Sequence, residues 1–442
     1  MTDTIFAPAT PAGRSAIAVI RISGPAAGMA VESLAGRRPR PRTAVLCKLR
    51  LPRSGEHLDD ALVLWMPGPR SYTGEDVAEL HLHGSRAVVR AAIDALQSLG
   101  LRLAEPGEFT RRAFDAGKLD LTQVEALADL IDAETTAQRR QALRQLEGEI
   151  GRRAESWREA LTRVLAKIEA AIDFPDEDLP AGIEASLKAP IQALRGEIAD
   201  ALADGGRGER LRDGYRIAIL GLPNVGKSSF LNMLAKREAA IVSTFAGTTR
   251  DVIEVHLDLA GYPVLVADTA GLRESPDPIE AEGVRRAEAW ARQADLRLAV
   301  VAADEADRLP ALLCEAEQAD DIIVALNKVD LVATVPERIA GRRVLPVSAK
   351  TGAGIDGVVE ALVQRVRSEF GETGGLVTRA RHRQALTDCE ACLGRALAVD
   401  GSRPEILAEE LRLAARALGR LLGRIDIEDL LDVIFREFCI GK

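Results

Sequence analysis

The residues of this chain best suited to chemistry lie in Gly221-Leu222-Pro223-Asn224-Val225-Gly226-Lys227-Ser228-Ser229, spaced as G-x-x-x-x-G-K-[ST]. Glycines at these places let successive backbone N–H groups turn inward on an anion, and the helix that follows offers its positive end. Lys227 can then reach the β- and γ-phosphates, while the Ser228 hydroxyl ligates Mg²⁺. Residues 215 to 220 alternate as a buried strand should, so the loop is expected between a strand and a helix.

Three further stretches follow in the order a guanine-nucleotide site requires. Asp268-Thr269-Ala270-Gly271 comes directly after the apolar run Val264 to Ala267, where an acid can hold Mg²⁺ through water and a glycine N–H can meet the γ-phosphate. Asn327-Lys328-Val329-Asp330 follows Ile322 to Leu326, and the Asp330 carboxylate can accept two hydrogen bonds that guanine donates and adenine does not. Ser348-Ala349-Lys350 closes the base pocket after a strand at Arg343 to Val347. Together these read as a Ras-like GTPase that takes GTP.

Leu272 stands where Ras-like enzymes place a water-orienting glutamine, and it can neither donate nor accept a hydrogen bond. Glu280 is the expected replacement, ahead of Glu274 and Asp277. No arginine finger is evident, a group worth about 10³ to 10⁵ in rate. A bound monovalent cation could supply its charge: Asn224 offers an oxygen suited to K⁺, and the carbonyls of Ser243-Thr244-Phe245-Ala246-Gly247-Thr248-Thr249-Arg250-Asp251 could wrap the same ion. Asn224 serves equally well as a simple cap of the loop.

The elements that must hold these residues are read from the whole chain. Its 442 residues are enough for two to four domains, and 47% hydrophobic with 28% charged residues reads as soluble and globular. No run approaches the roughly 18 apolar residues of a membrane span, and MTDTIFAPATPAG lacks the basic and apolar regions of a signal peptide. A cytoplasmic location is therefore expected, and five scattered cysteines agree with a reducing compartment. The net charge of −9 leaves RNA contacts to local basic patches.

Residues 1–118 read as mixed α and β, with strands at Ser15–Gly24, Ala61–Met66 and Val77–Gly84 and a helix through Val88, Ile93 and Leu96. Helical spacing takes over in 119–211, opened by a capping box at Thr122-Gln123-Val124-Glu125, and resumes in 376–442. Neither helical stretch buries its apolar face alone, so a helical domain interrupted by an inserted GTPase domain, 212–375, is expected. Cys389-Glu390-Ala391-Cys392 reads as core, and His81 with His83 as structural or surface residues. Cys439 either packs or is chemically used; the terminal lysine excludes prenylation.

Outside the GTPase motifs, Ser71-Tyr72-Thr73-Gly74-Glu75-Asp76, Pro106-Gly107-Glu108-Phe109-Thr110-Arg111-Arg112-Ala113-Phe114, Gly117-Lys118-Leu119-Asp120-Leu121 and the terminal Phe438-Cys439-Ile440-Gly441-Lys442 carry a resemblance that runs the length of the chain. The sequence resembles the MnmE (TrmE) family of tRNA modification GTPases. The resemblance implies a multidomain α/β plus all-α protein, with a folate-binding-like α/β N-terminal domain that forms a homodimer. It implies 5-formyltetrahydrofolate or a related folate as one-carbon donor, held by Arg21, Glu79, Lys118 and Lys442. It implies K⁺ at Asn224, Ser243, Phe245 and Thr248, Mg²⁺ at Ser228 and Thr249, water activation by Glu280 and a role for Cys439 in the modification. The implied partners are the FAD protein MnmG, in a heterotetramer, and tRNA, whose wobble uridine is modified at carbon 5. A K⁺-dependent GTPase of ribosome assembly would share residues 215 to 370 without needing the folate-like set or FCIGK, and a pure interaction scaffold would tolerate loss of hydrolysis.

If Glu280 orients the attacking water, Glu280→Ala should slow single-turnover hydrolysis by on the order of 10² to 10⁴ while nucleotide affinity barely changes. Hydrolysis within about threefold of the parent would assign the water to Glu274 or Asp277 instead.

Overall fold

The computed structural model describes residues 3–173, 183–204, 206–237, 254–268, 290, 292–309, 322–371, 375–399, 403–425, 431, 434–435, 438 and 441. The chain separates into two compact units, one of Met1–Ala128, Gln145–Asp173 and Ala408–Lys442, the other of Asp129–Arg144 and Phe174–Leu407. The helices that follow Leu119 are divided between the two.

In the first unit β1 (Ile5–Pro8), β2 (Ile17–Ser23), α1 (Ala27–Ala35), β3 (Val45–Arg50), β4 (His57–Met66), β5 (Val77–His83), α2 (Arg86–Ser98) and β6 (Arg102–Leu103) build a six-stranded sheet of order β3-β4-β5-β2-β1-β6. Alternation decides its faces. Phe6, Ile20, Ile22, Val63, Trp65 and Leu80 point to one side, where α1 and α2 cover them. Ile5 and Ala7 point to the other, against Phe109 of α3 (Glu108–Asp115).

Two of the marker stretches bind each other here. Arg112 of α3 is nearly buried and bonds to Glu75 Oε2 at 3.0 Å, Glu108 Oε1 at 3.0 Å and Asp3 Oδ1 at 2.7 Å. Tyr72 and Thr110 join the same two stretches through their hydroxyls at 2.9 Å.

The capping box of α4 (Leu121–Asp132) lies two residues earlier than the sequence pattern suggests. Asp120 Oδ1 accepts from the Gln123 N–H at 2.9 Å, and Gln123 Oε1 accepts from the Asp120 N–H at 3.0 Å. Asp120 is an equally good cap and a glutamine closes the box as well as a glutamate, so Thr122 is left buried inside the first turn.

Next come α5 (Thr136–Leu146), α6 (Glu149–Asp173), α7 (Ile183–Leu202) and α8 (Arg207–Asp213). On α6 the residues Ile150, Ala154, Trp157, Leu161, Val164 and Ile168 recur every three or four positions and are all buried.

In the second unit β7 (Tyr215–Leu220), α9 (Lys227–Arg237), β8 (Glu254–Leu259), β9 (Tyr262–Asp268), β10 (Leu296–Ala302), β11 (Ile322–Asn327), β12 (Arg338–Ile339) and β13 (Arg342–Pro346) form a sheet of order β12-β13-β11-β10-β7-β9-β8. Its middle strands are parallel, and the runs Ile217, Ile219, Val264, Val266, Leu298 and Val300 are buried between α9 and α10 (Ile355–Phe370).

The last two helices return to earlier ones. α11 (Ala380–Ala398) packs on α7, tied by Arg195 Nε to Glu390 Oε1 at 2.6 Å. α12 (Pro404–Leu421) runs antiparallel to α6, with Arg412 on Glu169 at 2.6 Å and Arg424 on Glu155 at 3.1 Å. Cys389 and Cys392 face the interior of α11's packing, where burial pushes the Cys389 thiol up to about 12.

The Arg112 cluster gives the first unit a defined pH response. Bonds from Arg102 and Arg112, working against burial, hold the carboxyl of Asp3 below its usual range. Glu108 is also held low: burial pulls it upward, and bonds from Arg102, the Glu105 N–H and Arg112 outweigh that pull. Groups with depressed folded values bind fewer protons folded than unfolded, so their contribution is complete above the unfolded values and is lost as pH falls through the folded ones. The gap in melting temperature between the parent and Arg112→Ala should therefore be largest near neutrality and close between about pH 5 and pH 3. A gap that stays constant over that range, followed by circular dichroism, would remove these ion pairs from the account.

Candidate functional site

β7 ends in the centre of its sheet, and the chain must leave it and begin α9 at Lys227. A crevice outside the carboxyl ends of parallel strands is where such folds bind ligands, and the loops after β7, β11 and β13 open there beside Asp268, the last residue of β9. Asn224 takes a φ of 65° and Gly226 a φ of 93°, which lets the loop curl back on itself. Gly226 is also fixed by space, since a Cβ there would stand 2.5 Å from Asn327 Nδ2.

Lys227 is buried and donates to the carbonyls of Gly221 and Leu222 at 2.7 Å each. Burial pushes its ammonium below the usual lysine range, and the Asp268 carboxylate offsets part of that. Ser228 Oγ donates to Asp268 Oδ2 at 2.7 Å. A hydroxyl from the first turn of α9 and a carboxylate from the end of β9 form an all-oxygen donor pair of the kind Mg²⁺ takes. Val225 is buried under the loop, and Ser229 is exposed on the first turn of α9.

Asn327, 2% exposed, joins the separate loops. Its Nδ2 donates to the Val225 carbonyl at 2.8 Å, and its Oδ1 accepts from the Ala349 N–H at 2.9 Å. Lys328 follows in the left-handed region at φ 64° and turns the chain toward Asp330. The Ser348 hydroxyl, with Lys350 nearby, holds the exposed Asp330 carboxyl below its usual range, which favours its charged, acceptor-only form. Ser348 is buried, and its hydroxyl accepts from the Thr351 N–H at 3.2 Å.

The structure thus brings together Asn224, Val225, Gly226, Lys227, Ser228, Ser229, Asp268, Asn327, Lys328, Asp330, Ser348, Ala349 and Lys350. Ser243, Thr244, Phe245, Ala246, Gly247, Thr248, Thr249, Thr269, Ala270, Gly271, Leu272, Glu280, Cys439 and Lys442 lie outside the described residues.

A second constellation occupies the first unit. Arg21 of β2 stands directly opposite Glu79 of β5, and the pair bonds from Arg21 Nε to Glu79 Oε1 at 3.0 Å. The guanidinium lies 5.4 Å from the Tyr72 ring centre and 5.9 Å from that of Phe109. Lys118 donates to the Pro69 carbonyl at 2.5 Å. His81 leans on Glu79 at 3.3 Å, and His83 bonds to Asp59 at 2.7 Å. Gly441 closes against the Pro8 carbonyl, one residue from the Ala7 that pairs with Arg21. Tyr72 and Phe109 are not candidates from sequence, because only the register of three strands shows that they flank Arg21.

Asn327→Ala should leave the Val225 carbonyl and the Ala349 N–H buried without partners, at about 1–3 kcal/mol each. Part of that loss falls on nucleotide binding, so GTP affinity should drop at least thirtyfold by calorimetry, about 2 kcal/mol. A change under threefold would show that the loops hold their places without this amide.

The family model described as "MnmE helical domain" matches residues 121–439, and that described as "GTP-binding protein TrmE N-terminus" matches residues 4–118. Proteins named tRNA modification GTPase MnmE are similar along the whole chain. That of Parvibaculum lavamentivorans is 57% identical, covering 100% of both chains. That of Rhodospirillum rubrum is 54% identical over 100% of this chain and 99% of its own, and that of Paramagnetospirillum magneticum 55% over 100% of both. A solved G domain of the T. maritima FeoB iron transporter is 24% identical over 34% of this chain and 97% of its own, at a TM-score of 0.27, too slight a likeness to argue from. With both of its domain models matched and its relatives matched end to end, the chain belongs to the MnmE family of tRNA modification GTPases.

Proposed function

We propose that GTP hydrolysis by this chain is stimulated by K⁺ and that the turnover serves modification of carbon 5 of the wobble uridine of certain tRNAs. The observation that carries the reading is the bridge made by Asn327. It joins the phosphate loop, the guanine-reading Asp330 and the Ser348–Lys350 loop at one crevice, as a guanine-nucleotide hydrolase requires. Lys227 would meet the β- and γ-phosphates, and Ser228 with Asp268 and Thr249 would hold Mg²⁺, which supplies charge compensation when bound. Asn224, at φ 65° on the exposed edge of the loop, is free to turn its oxygen to a K⁺ shared with Ser243, Phe245 and Thr248.

The one-carbon donor in this reading is 5-formyltetrahydrofolate or a relative. Arg21 and Glu79, a charged pair between two aromatic rings, suit a flat heterocycle rich in donors and acceptors, and Lys118 and Lys442 suit its carboxylates. Two further parts of the proposal concern assembly. Leu46 (66% exposed) and Leu62 (44% exposed) stand opposite each other in the register of β3 and β4, which supports a homodimer through the N-terminal sheet. The pairing of α7 with α11 and of α6 with α12, helices from before and after the GTPase stretch, supports an inserted GTPase domain. MnmG, an FAD protein, is the proposed partner in a heterotetramer, acting in the cytoplasm.

The alternative, a K⁺-dependent GTPase of ribosome assembly, needs only residues 215 to 370. It leaves the Arg21 constellation and the matched N-terminal domain without a role. Nucleoside mass spectrometry of bulk tRNA decides between them: cells lacking this protein should lose the C5-modified wobble uridine and regain it with the parent gene. Unchanged tRNA nucleosides together with a ribosome-assembly defect would favour the alternative.

A further inference from the structure

In the second unit, away from the nucleotide loops, α5 and the β8–β9 hairpin meet across a cleft of about 490 Å³. Ala260 and Gly261, at φ 54° and 91°, make the tight two-residue turn of that hairpin. The turn is pinned on both sides: the Gly261 N–H donates to Asp258 Oδ1 at 2.6 Å, and the Gly261 carbonyl accepts from the Ala137 N–H of α5 at 2.9 Å. The floor is apolar and aromatic. Leu211 and Phe370 are buried, and the Tyr262 ring stacks on Phe370 with centres 5.6 Å apart and planes 5° from parallel.

The rim is cationic. Arg140 and Arg144 rise from successive turns of α5, and Arg367 comes from the last turn of α10. Asp258 is the one carboxylate among the lining residues, and its Oδ1 is engaged by the turn. Arg140 and Arg367 are exposed and make no ion pair among the described residues. A basic residue at the C-terminal end of a helix is ordinary by itself, since it complements the helix dipole. That accounts for Arg367 and equally for Arg144 in the last turn of α5, and leaves unexplained only why Arg140, one turn earlier, turns to the same hollow. On a chain of net charge −9, a hollow that carries the exposed guanidinium groups of Arg140 and Arg367 beside an aromatic floor is an anion site by local arrangement.

Guanidinium forks match phosphate oxygens, and an aromatic floor takes the flat face of a base or the apolar face of a ribose. The volume lies in the range of single small ligands, so a double helix cannot enter. We propose that this cleft binds a single-stranded stretch of RNA, with phosphates on Arg140 and Arg367 and one unstacked nucleotide over Tyr262. The inference rests on the tRNA reading above and adds to it a binding surface for the polymer.

The test uses the full-length protein and a fluorescently labelled tRNA transcript, with anisotropy followed at increasing KCl. Arg140→Ala/Arg367→Ala should bind at least tenfold more weakly, and the slope of log affinity against log salt should fall by about 1.5, because two phosphates are no longer neutralised. Arg140→Lys/Arg367→Lys keeps both charges and should keep the slope, while thermal unfolding confirms that each variant is folded. A single-stranded oligonucleotide should compete with the transcript and a blunt duplex should not. Unchanged affinity and slope in the alanine variant would overturn the cleft as an RNA site, as would failure of the parent to bind tRNA at low salt. Displacement of tRNA by millimolar inorganic phosphate, at constant ionic strength, would also overturn it in favour of a small-anion site. In each of these cases the wider reading stands or falls separately, on the C5 modification of cellular tRNA.

Discussion

One buried amide holds the nucleotide site together. The phosphate loop, the Asn327–Asp330 turn and the Ser348–Lys350 loop leave three different strands; the Val329 N–H to Val347 carbonyl bond, 3.2 Å, ties the last two to each other, and the Asn327 amide ties both to the phosphate loop. Asn327 spans the gap because an amide has a donor and an acceptor at fixed separation, here used on the Val225 carbonyl and the Ala349 N–H. Each bond adds only about 0.5–1.5 kcal/mol to stability. The larger effect is exclusion, since any arrangement that parts the loops strands two polar groups in a dry place. Gly226 belongs to the same constraint: its lack of a side chain lets Asn327 approach, so each of the two fixes the geometry of the other.

The first unit solves its positioning problem with charge. Arg112 gathers Asp3, Glu75 and Glu108, drawn from the chain's start, the loop before β5 and the first turn of α3. Exposed pairs of this type contribute little singly, but the Arg112 side chain is 12% exposed and pairs with three acids at once, and although Arg102 also holds Asp3 and Glu108, loss of Arg112 leaves Glu75 without its cation. The network brings the loop carrying Tyr72 against α3 carrying Phe109, and the space between those rings receives Arg21.

What can be read from sequence follows from how local each signal is. The phosphate loop, Asp268, Asn327 and Ser348 are legible because each is a short spacing directly after an apolar strand, and β9, β11 and β13 fall where those strands are expected. β1, β3 and α1 escape a reading of pattern: four residues of strand are too few for a period, and α1 is an Ala- and Gly-rich helix with little polar contrast. The box at Asp120 is displaced by two residues from its expected frame because Thr122 and Glu125 copy its pattern alongside, and burial of Glu125 decides against them. Tyr72 and Phe109 are invisible for a different reason, since their relation to Arg21 exists only once the strand register is fixed.

Near the end of the chain, packing alone fixes the described residues of the terminal motif. Phe435 and Phe438, with ring centres 6.0 Å apart, are buried with Leu121 and Val124 of α4, so the helical end is anchored by ordinary apolar burial. Gly441 then lies at φ 103° with its α-carbon against the Pro8 carbonyl, where a Cβ would come within 2.2 Å of the oxygen. Both conditions demand glycine, one by backbone angle and one by space. The close approach is to β1, the strand that pairs with the one carrying Arg21, so the packing of Phe438 and the absence of a side chain at 441 together bring residue 441 to that strand. Gly441 is thus fixed by a strand far from it in sequence, and nothing in a pentapeptide read alone reveals the strand it must meet.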